Sequence, residues 1–446
     1  MTDHPRDESR AQAIAYLRVV GLAAIIGIPA ALVAALFLAL IHALEGWLWH
    51  DLPDALGFAE PPWFLIVGLP VLGALLVVAA RTLLPGDGGH TPLEGLKAGE
   101  TPLANVPGVV LAAVGTLAFG AVLGPEMPVI ALGSAVGVLI NRFVKLGPQE
   151  RAVVANAGSF SAISALFGGP LVAGMLLVES GLSLGTKLLP ALLPGLVAAG
   201  IGYLIFVGLG NWEGLAAPGL QVPSLPPYEG AVVADLVLAV VVGLAAGLAL
   251  AVIRDAGWRV QALVPRVGMP VLLLAGGLAV GLLALLGEAL GADSQDVLFS
   301  GQASLGVVTS ASLSVVIVLL VTKSLAYAVS LGSGFRGGPI FPAIFVGVAL
   351  ASVPVAAFGS SPTWAIAVGA AAGMAAQTRL LISPLLLASL LVGPEGSDTI
   401  PSAVLAAAAA WIIAATLERR RSEVADAEAP DAEAEATRSP SAAAKG

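Results

Sequence analysis

The stretch LGPEMPVIALG, residues 123–133, decides the fold, because a close copy of it, GGPIFPAIFVG, occupies residues 337–347. Both copies contain the pattern Gly-Pro-x-x-Pro with a glycine five residues later, and they lie 214 positions apart. Two ordered matches at nearly one spacing favour an internal duplication over chance, although glycine and proline are common in membrane helices. The second set of matches is Ala157-Gly158 and Pro170-Leu171 against Ala372-Gly373 and Pro384-Leu385.

The composition indicates a polytopic membrane protein. Of the 446 residues, 58% are hydrophobic and 11% are charged, whereas soluble globular chains carry roughly a quarter charged residues. Several apolar stretches are long enough to cross a bilayer core of about 30 Å, and others are short and interrupted by glycine and proline. Such broken helices survive in a membrane only where their backbone is buried in protein or lines a watery cavity. We therefore predict an all-α membrane protein of two inverted-topology repeats with broken and re-entrant helices.

Charge distribution divides the chain into three parts. We predict a polar N-terminus over residues 1–15, a membrane transport domain over 16–417 and a disordered acidic cytoplasmic tail over 418–446. Within the transport domain, half one covers 16–209 and half two covers 230–417. Interrupted segments at matching positions of two halves are typical of a transporter's binding site.

Arginine clusters predict the orientation in the membrane. They precede the first span, follow the first span of half two and follow the last span, and cytoplasmic loops are enriched in such residues. Both termini are therefore predicted to be cytoplasmic. The three clusters are Arg6, Arg10 and Arg18; Arg254, Arg259 and Arg266; and Arg419, Arg420 and Arg421.

Several classes of protein are excluded by what the sequence lacks. With no cysteine, the chain has no disulfide, thiolate metal site or iron–sulfur cluster, and no basic stripe indicates a nucleic-acid partner. An intramembrane enzyme is the alternative from another class. However, the triplet Gly332-Ser333-Gly334 lacks the Gly-x-Ser-Gly order of a rhomboid-type protease, and no Asp-rich metal motif is present. We expect no enzymatic activity, no cofactor and no metal.

Glu126 is the strongest candidate for a functional residue. It stands in the Gly/Pro break that opens an apolar half-helix, and an isolated acid inside a membrane is a functional hypothesis by default. The N-terminus of a half-helix favours negative charge, so the carboxylate and a free anion would compete for one place. Protonation or displacement of Glu126 would then act as a gate. The alternative is a glutamate that only caps its own helix.

Half two offers the same helix start without the carboxylate, because Ile340 stands at the position of Glu126. Nearby, Arg336 would raise the local positive potential, or it would extend to the membrane interface. The loop Gly86–Pro92 resembles a third cradle of backbone amides before a short helix near Leu93, and an ordinary polar loop would have the same sequence.

Glu179 ends the apolar run LVAGMLLVES. It is a candidate for relaying protons at a membrane face. An interfacial residue at a helix end is the alternative that we slightly favour.

The segments LGPEMP and GFRGGPIFPA resemble those of the chloride channel (CLC) family of anion channels and anion/proton antiporters, with most similarity to a divergent bacterial branch of ion-transport proteins. The resemblance covers both halves. It implies that Glu126 is the external gate, although Met127 follows it where the family has glycine. In the family, the internal proton-transfer glutamate aligns with Ser180, one residue past Glu179.

The resemblance also implies which groups contact the anion. The loop that contributes a serine in the family carries Gly89 and His90 here, and the segment whose amides bind the anion maps to Gly337–Pro342. The implied anion-binding residues are Gly89, His90, Gly124, Pro125, Met127, Gly338, Ile340 and Phe341, and Glu179 and Ser180 form the candidate proton path.

From this resemblance we expect passive or weakly proton-coupled transport of small inorganic anions such as chloride. A proton-coupled antiporter, or an exporter of fluoride or another anion, is the alternative within transport. The expected partners are a small inorganic anion, protons, membrane lipid and a second copy in a homodimer. The expected location is a bacterial inner membrane.

Overall fold

The computed structural model describes residues 4–95, 99–144, 146–180, 188–208 and 220–438, and these residues are predominantly helical. The helices of half one are α1 (His4–Gly46), α2 (Leu52–Ala55), α3 (Trp63–Leu83), α4 (Val106–Leu117), α5 (Glu126–Ile140), α6 (Pro148–Leu166), α7 (Pro170–Ser180) and α8 (Leu188–Gly208). Those of half two are α9 (Val233–Gln261), α10 (Val264–Val267), α11 (Met269–Ala289), α12 (Ser294–Val297), α13 (Leu305–Ser310), α14 (Leu313–Ser333), α15 (Ile340–Phe358), α16 (Pro362–Thr378), α17 (Ile382–Val392) and α18 (Ile400–Arg438). A π-helical segment covers Trp47–Asp51, and 3-10 turns cover Pro92–Glu94, Leu103–Asn105 and Gly393–Thr399.

Within the described ranges, seven helical stretches are long and apolar enough to cross a membrane. They are Ala13–Ala55, Trp63–Leu83, Val233–Val267, Met269–Ala289, Leu313–Ser333, Ile340–Phe358 and Ile382–Arg420. Other helices are too short to span, since α4 has 12 residues, α5 has 15 and α7 has 11. The predicted all-α membrane fold with broken helices is confirmed.

The two halves repeat the same order of elements. Helices α5 and α6 correspond to α15 and α16, and each pair begins 214 residues apart. As predicted, the broken helices of the two halves begin at the equivalent residues Glu126 and Ile340. The extended segments before them run antiparallel and are joined by a single bridge between Gly124 and Gly338. The prediction of inverted repeats is therefore confirmed.

Glycine allows equally close helix packing in both halves. A Cβ on Gly133 of α5 would lie 2.8 Å from the carbonyl carbon of Gly158 in α6. In half two, a Cβ on Gly347 would lie 2.9 Å from the amide nitrogen of Gly373. Small residues at such crossings let membrane helices approach closely. The motif glycines thus fix the pairs α5/α6 and α15/α16 that carry the two helix starts.

The helix ends do not coincide with the predicted domain boundaries, which stay a prediction. Helix α1 begins at His4, inside the predicted polar N-terminus, and α18 continues to Arg438, past residue 417. Disorder of the tail over 418–446 stays a prediction, and residues 439–446 lie outside the described ranges.

Candidate anion site

Gly124 and Gly338 tie the two helix starts together. The amide of Gly124 donates to the carbonyl oxygen of Gly338 at 2.7 Å. In return, the amide of Gly338 donates to the carbonyl oxygen of Gly124 at 2.6 Å. Since these residues are equivalent in the two repeats, the pseudo-two-fold axis passes between them. The N-termini of α5 and α15 consequently start from one rigid junction.

The carboxylate of Glu126 reaches across this junction to the other half. Its Oε1 accepts a hydrogen bond of 2.8 Å from the amide of Phe341, in the first turn of α15, and the amide of Ile340 lies close to the carboxylate. The side chain is 0% exposed, and Oε2 has no hydrogen-bond partner. A negative group therefore occupies the unpaired amides at a helix N-terminus, where a free anion would bind.

Glycine on both sides makes room for this carboxylate. A Cβ on Gly124 would lie 2.6 Å from Oε1, and a Cβ on Gly338 would overlap Oε2. Pro125 and Pro339 precede the two helices as their N-caps. Pro128 lies in the first turn of α5, where a missing N–H costs no helical hydrogen bond. The motif Gly-Pro-x-x-Pro thus starts a helix and clears space beside it.

Two buried hydroxyls hold the extended segments from the opposite half. Ser330 of α14 accepts a bond of 3.0 Å from the amide of Val122, and Thr116 of α4 accepts one of 3.1 Å from the amide of Arg336. The two acceptors lie 214 residues apart in the chain, and so do the two donors. The two bonds are therefore equivalent in the two repeats. Unpaired amides at such depth are costly, and these hydroxyls satisfy them.

Two aromatic residues complete the surroundings of the α15 start. The hydroxyl of Tyr327 donates to the carbonyl oxygen of Pro339 at 2.7 Å, and the side chain is fully buried. The ring of Phe341 lies 5.7 Å from that of Phe167, centroid to centroid. These contacts fix the turn whose amides hold Glu126.

Arg336 lies in the protein interior, with 3% of its surface exposed, so it does not extend to the membrane interface. Its guanidinium donates to the carbonyl oxygen of Asp87 at 3.0 Å and to the hydroxyl of Thr91 at 3.1 Å, and it contacts the carboxylate of Asp87. The Gly86–Pro92 loop therefore joins the extended segment of half two through Arg336. The short helix expected near Leu93 is a 3-10 turn over Pro92–Glu94.

Gly89 and His90 have different surroundings from the other predicted contact residues. The amide of Gly89 donates to the carbonyl oxygen of Gly86 at 3.0 Å, so this donor is already used within the loop. A Cβ on Gly89 would lie 3.3 Å from Val109. His90 is half-buried and engaged in an interaction of its own. Anion contacts from this pair stay a prediction.

Glu179 caps a helix of the other half. Its carboxylate accepts bonds of 2.7, 2.8 and 2.7 Å from the amides of Leu381, Ile382 and Ser383, and one of 2.5 Å from the Ser383 hydroxyl. These groups form the N-terminus of α17. Ser180 turns back on its own helix, donating to the carbonyl oxygen of Leu176 at 2.5 Å. The interfacial helix-end alternative matches this geometry, and a proton path through these residues stays a prediction.

The structure thus brings together one part of the predicted site. Gly124, Pro125, Glu126 and Met127 meet Gly338, Ile340 and Phe341 at one junction. Residues that the sequence did not single out are Thr116, Ser330, Tyr327 and Phe167. Only the first two carried a signal, namely their own spacing of 214 residues.

Fold and site together define a multi-pass membrane transport protein of two inverted repeats, with a carboxylate held on backbone amides where the repeats meet. The sequence matches the profile of the family described as "Voltage gated chloride channel" over residues 90–415. The chain belongs to this family, and it is accordingly a protein of anion transport.

Relatives and solved structures agree with this assignment. A "Putative ion-transport protein YfeO" of Escherichia coli O139:H28 is 32% identical over 337 residues, covering 73% of this chain and 76% of that protein. A relative of the same name from Shigella boydii serotype 4 is 31% identical over the same shares.

Solved structures show the same fold at low sequence identity. The crystal structure of a slow cyanobacterial Cl⁻/H⁺ antiporter has a TM-score of 0.73 at 18% identity and covers 90% of this chain and 95% of its own. That of a CLC-type fluoride/proton antiporter has a TM-score of 0.66 at 20% identity, with coverages of 89% and 95%.

Proposed function

We propose that this chain conducts small inorganic anions through a pore gated by Glu126, by passive or weakly proton-coupled transport. One observation carries the proposal: the Glu126 carboxylate accepts a hydrogen bond from the amide of Phe341 while its other oxygen is buried without a partner. A buried oxygen left unpaired is costly. The carboxylate can therefore be displaced by an anion that uses the same amides.

The proposal of weak coupling rests on the second acidic position. Ser180 has no carboxylate, and the carboxylate of Glu179 accepts four hydrogen bonds from the start of α17. A group held in this way is poorly suited to carry a proton back and forth. Proton-coupled antiport of chloride or fluoride is the second candidate, because solved antiporters of both kinds share this fold.

The remaining features of the proposal concern the setting. The chain would lie in a bacterial inner membrane with both termini cytoplasmic, as the arginine clusters indicate. The functional unit would be a homodimer with one pore in each subunit. Its site would consist of backbone amides and the Glu126 carboxylate without a metal or cofactor, and no enzymatic step belongs to the proposal.

Efflux from proteoliposomes tests the function. Liposomes containing wild-type protein should release chloride, nitrate or fluoride faster than protein-free liposomes, and Glu126→Ala should release the same anion at least as fast. Simultaneous recording of proton movement separates the two candidates, since a fixed ratio of protons to anions requires antiport. No release of any of the three anions, by protein shown to be inserted, would refute the proposal.

A further inference from the structure

The two repeats differ in charge at a second place besides Glu126. Val122 and Arg336 are equivalent, and the amide of each is bound to a hydroxyl of the other half. In half one the position holds a fully buried valine, and in half two a guanidinium with 3% exposure. Because a valine suits this place, the extended segment itself does not require an arginine there. The Arg336 side chain instead binds the Gly86–Pro92 loop, and a charged side chain at such depth marks a candidate functional site.

Arg336 shares one carboxylate with a second arginine. Asp87 Oδ1 lies 2.8 Å from Nε of Arg81, and Oδ2 lies 3.0 Å from Nη2 of the same guanidinium. The Nη2 of Arg336 binds the same Oδ2. Arg81 thus binds both oxygens of the planar Asp87 carboxylate, and Arg336 binds one of them. Guanidinium groups recognise oxyanions in the same geometry.

The loop that carries Asp87 is shaped around the two arginines. Asp87 has a φ of 48°, in the left-handed region, and Gly86, Gly88 and Gly89 have φ values of 88°, 70° and 101°. A Cβ on Gly88 would lie 3.2 Å from Cγ of Arg81 and 3.3 Å from Cγ of Arg336. Four successive residues with positive φ bring the carboxylate to the guanidinium pair.

The pair faces a cavity that is larger than a halide needs. The cavity holds about 460 Å³ and is lined by both arginines and by Asp87, Trp258, Gln261 and Met269. Among the three charged side chains, Asp87 faces water, since its side chain is 58% exposed while those of Arg81 and Arg336 are 13% and 4% exposed. Glu94 is a second acidic residue near enough to attract the Arg336 guanidinium. The carboxylate can leave toward water, whereas the guanidiniums stay in the protein.

We propose that the Arg81–Arg336 pair is a binding site for planar oxyanions, of which nitrate is the simplest probe, and that Asp87 is its tethered, displaceable occupant. The site rests on the proposed function in that it would admit oxyanions to the same pore. It lies at the ends of α9 and α11, the face of the basic connection that contains Arg259 and Arg266. Guanidinium recognition favours a trigonal oxyanion over a spherical halide, because only the former accepts two parallel N–H bonds.

Titration of the purified full-length protein in detergent tests the site. Glu126 is kept intact, so that any binding of nitrate at the central amides is the same in every variant. Calorimetry with nitrate should give about tenfold tighter binding to Asp87→Asn than to wild type, a factor equal to about 1.4 kcal/mol. Arg336→Val introduces the residue found at the equivalent position of half one. The double variant Asp87→Asn/Arg336→Val should therefore lose the tighter nitrate binding of Asp87→Asn. Chloride should show a smaller change. Arg259→Gln, an exposed arginine on the same face, is the matched control and should bind nitrate as wild type does.

An unchanged nitrate affinity in Asp87→Asn, or equal affinities of Asp87→Asn with and without Arg336→Val, would overturn the site. If Asp87→Asn does not fold, thermal unfolding keeps the test open: nitrate should stabilise wild type more than chloride does, and Arg336→Val should remove that difference. Equal stabilisation by nitrate and chloride in wild type would equally overturn it. Efflux distinguishes the two proposals, since protein that binds nitrate but releases no anion refutes the pore and not the site.

Discussion

Val122 and Arg336 occupy equivalent places in the two repeats, and the amide of each donates to a hydroxyl that the opposite half supplies. Glu126 and Ile340 form a second equivalent pair with unequal side chains. The backbone of the junction therefore obeys the two-fold symmetry, while the two charges break it. Symmetric parts carry the fold, and the departures from symmetry carry the candidate function.

The shared hydroxyls give a first prediction. Ser330→Ala and Thr116→Val should each lower the free energy of unfolding by about 1–3 kcal/mol, because each leaves a buried amide without an acceptor. Thermal or denaturant unfolding in detergent measures the loss. Thr416→Val, which removes an exposed hydroxyl bonded within its own helix, is the control and should change stability little. Equal stability of all three variants would show that the cross-repeat bonds contribute nothing.

Glycine at the junction gives a second prediction. A Cβ at position 338 would overlap the Glu126 carboxylate, so Gly338→Ala should cost about 1–3 kcal/mol, as overpacking of a dense interior does. Adding Glu126→Ala should recover much of that cost, and the double-mutant cycle gives the coupling energy. Gly21→Ala, where a Cβ meets nothing within 4 Å, is the matched control. If the effects of Gly338→Ala and Glu126→Ala on stability were additive, the Glu126 carboxylate would not lie beside position 338.

Sequence alone predicted the helix starts because both depend on local chemistry. Gly-Pro breaks, their 214-residue spacing and a lone acid are all visible without a structure, and they located Glu126 and Ile340 correctly. The bond from the Phe341 amide to the Glu126 carboxylate is a structural finding. The sequence predicted two equivalent helix starts and did not predict this contact between them.

What sequence could not supply are contacts between residues far apart in the chain. Asp87 and Arg336 are 249 residues apart. The sequence placed Asp87 in a loop that an ordinary polar loop would match, and it left Arg336 open between a role in the local potential and a place at the membrane interface. The role of Glu179 was open for the same reason, because its acceptor function depends on the start of α17, about 200 residues later. A serine or threonine in an apolar helix likewise does not indicate which amide it will bind.

Glu179 gives a third prediction. Glu179→Gln should lower stability by about 1–2 kcal/mol, because a neutral amide is a weaker acceptor for three backbone N–H groups at a helix start than a carboxylate is. The ratio of protons to anions in efflux should not change. Glu150→Gln, which affects a carboxylate with one such bond, should have a smaller effect on stability. Stoichiometric proton pumping that disappears in Glu179→Gln would show that the residue carries protons.

The acidic tail gives a fourth prediction. Residues beyond Arg421 are rich in alanine, glutamate and aspartate, and they have too little apolar surface to offset an ordering entropy of about 1–2 kcal/mol per residue. Truncation after Arg421 should therefore leave anion flux per inserted protein unchanged. Loss of flux from a truncated protein that is inserted as well as the full chain would assign the tail a role in transport.

The gate gives the last prediction. Wild-type anion flux should rise as pH falls, because protonation removes the charge with which Glu126 competes for the amide of Phe341. Glu126→Gln and Glu126→Ala lack that charge at every pH, so their flux should be nearly independent of pH. Efflux from liposomes between about pH 4.5 and about pH 8, a range in which buried carboxyl groups titrate, measures all three at matched insertion.

A glutamate that serves only as a structural partner for α15 predicts a different set of profiles. Both variants would then lose stability and flux together, because the amide of Phe341 would lose its acceptor, and the shape of the pH profile would stay that of wild type. Gln retains a carbonyl oxygen that can accept the same bond, so under this alternative Glu126→Gln should be less impaired than Glu126→Ala. Under gating, by contrast, the two variants agree in pH profile because both lack the titrating group. A wild type without pH dependence, matched by Glu126→Gln, would remove Glu126 from the gating role.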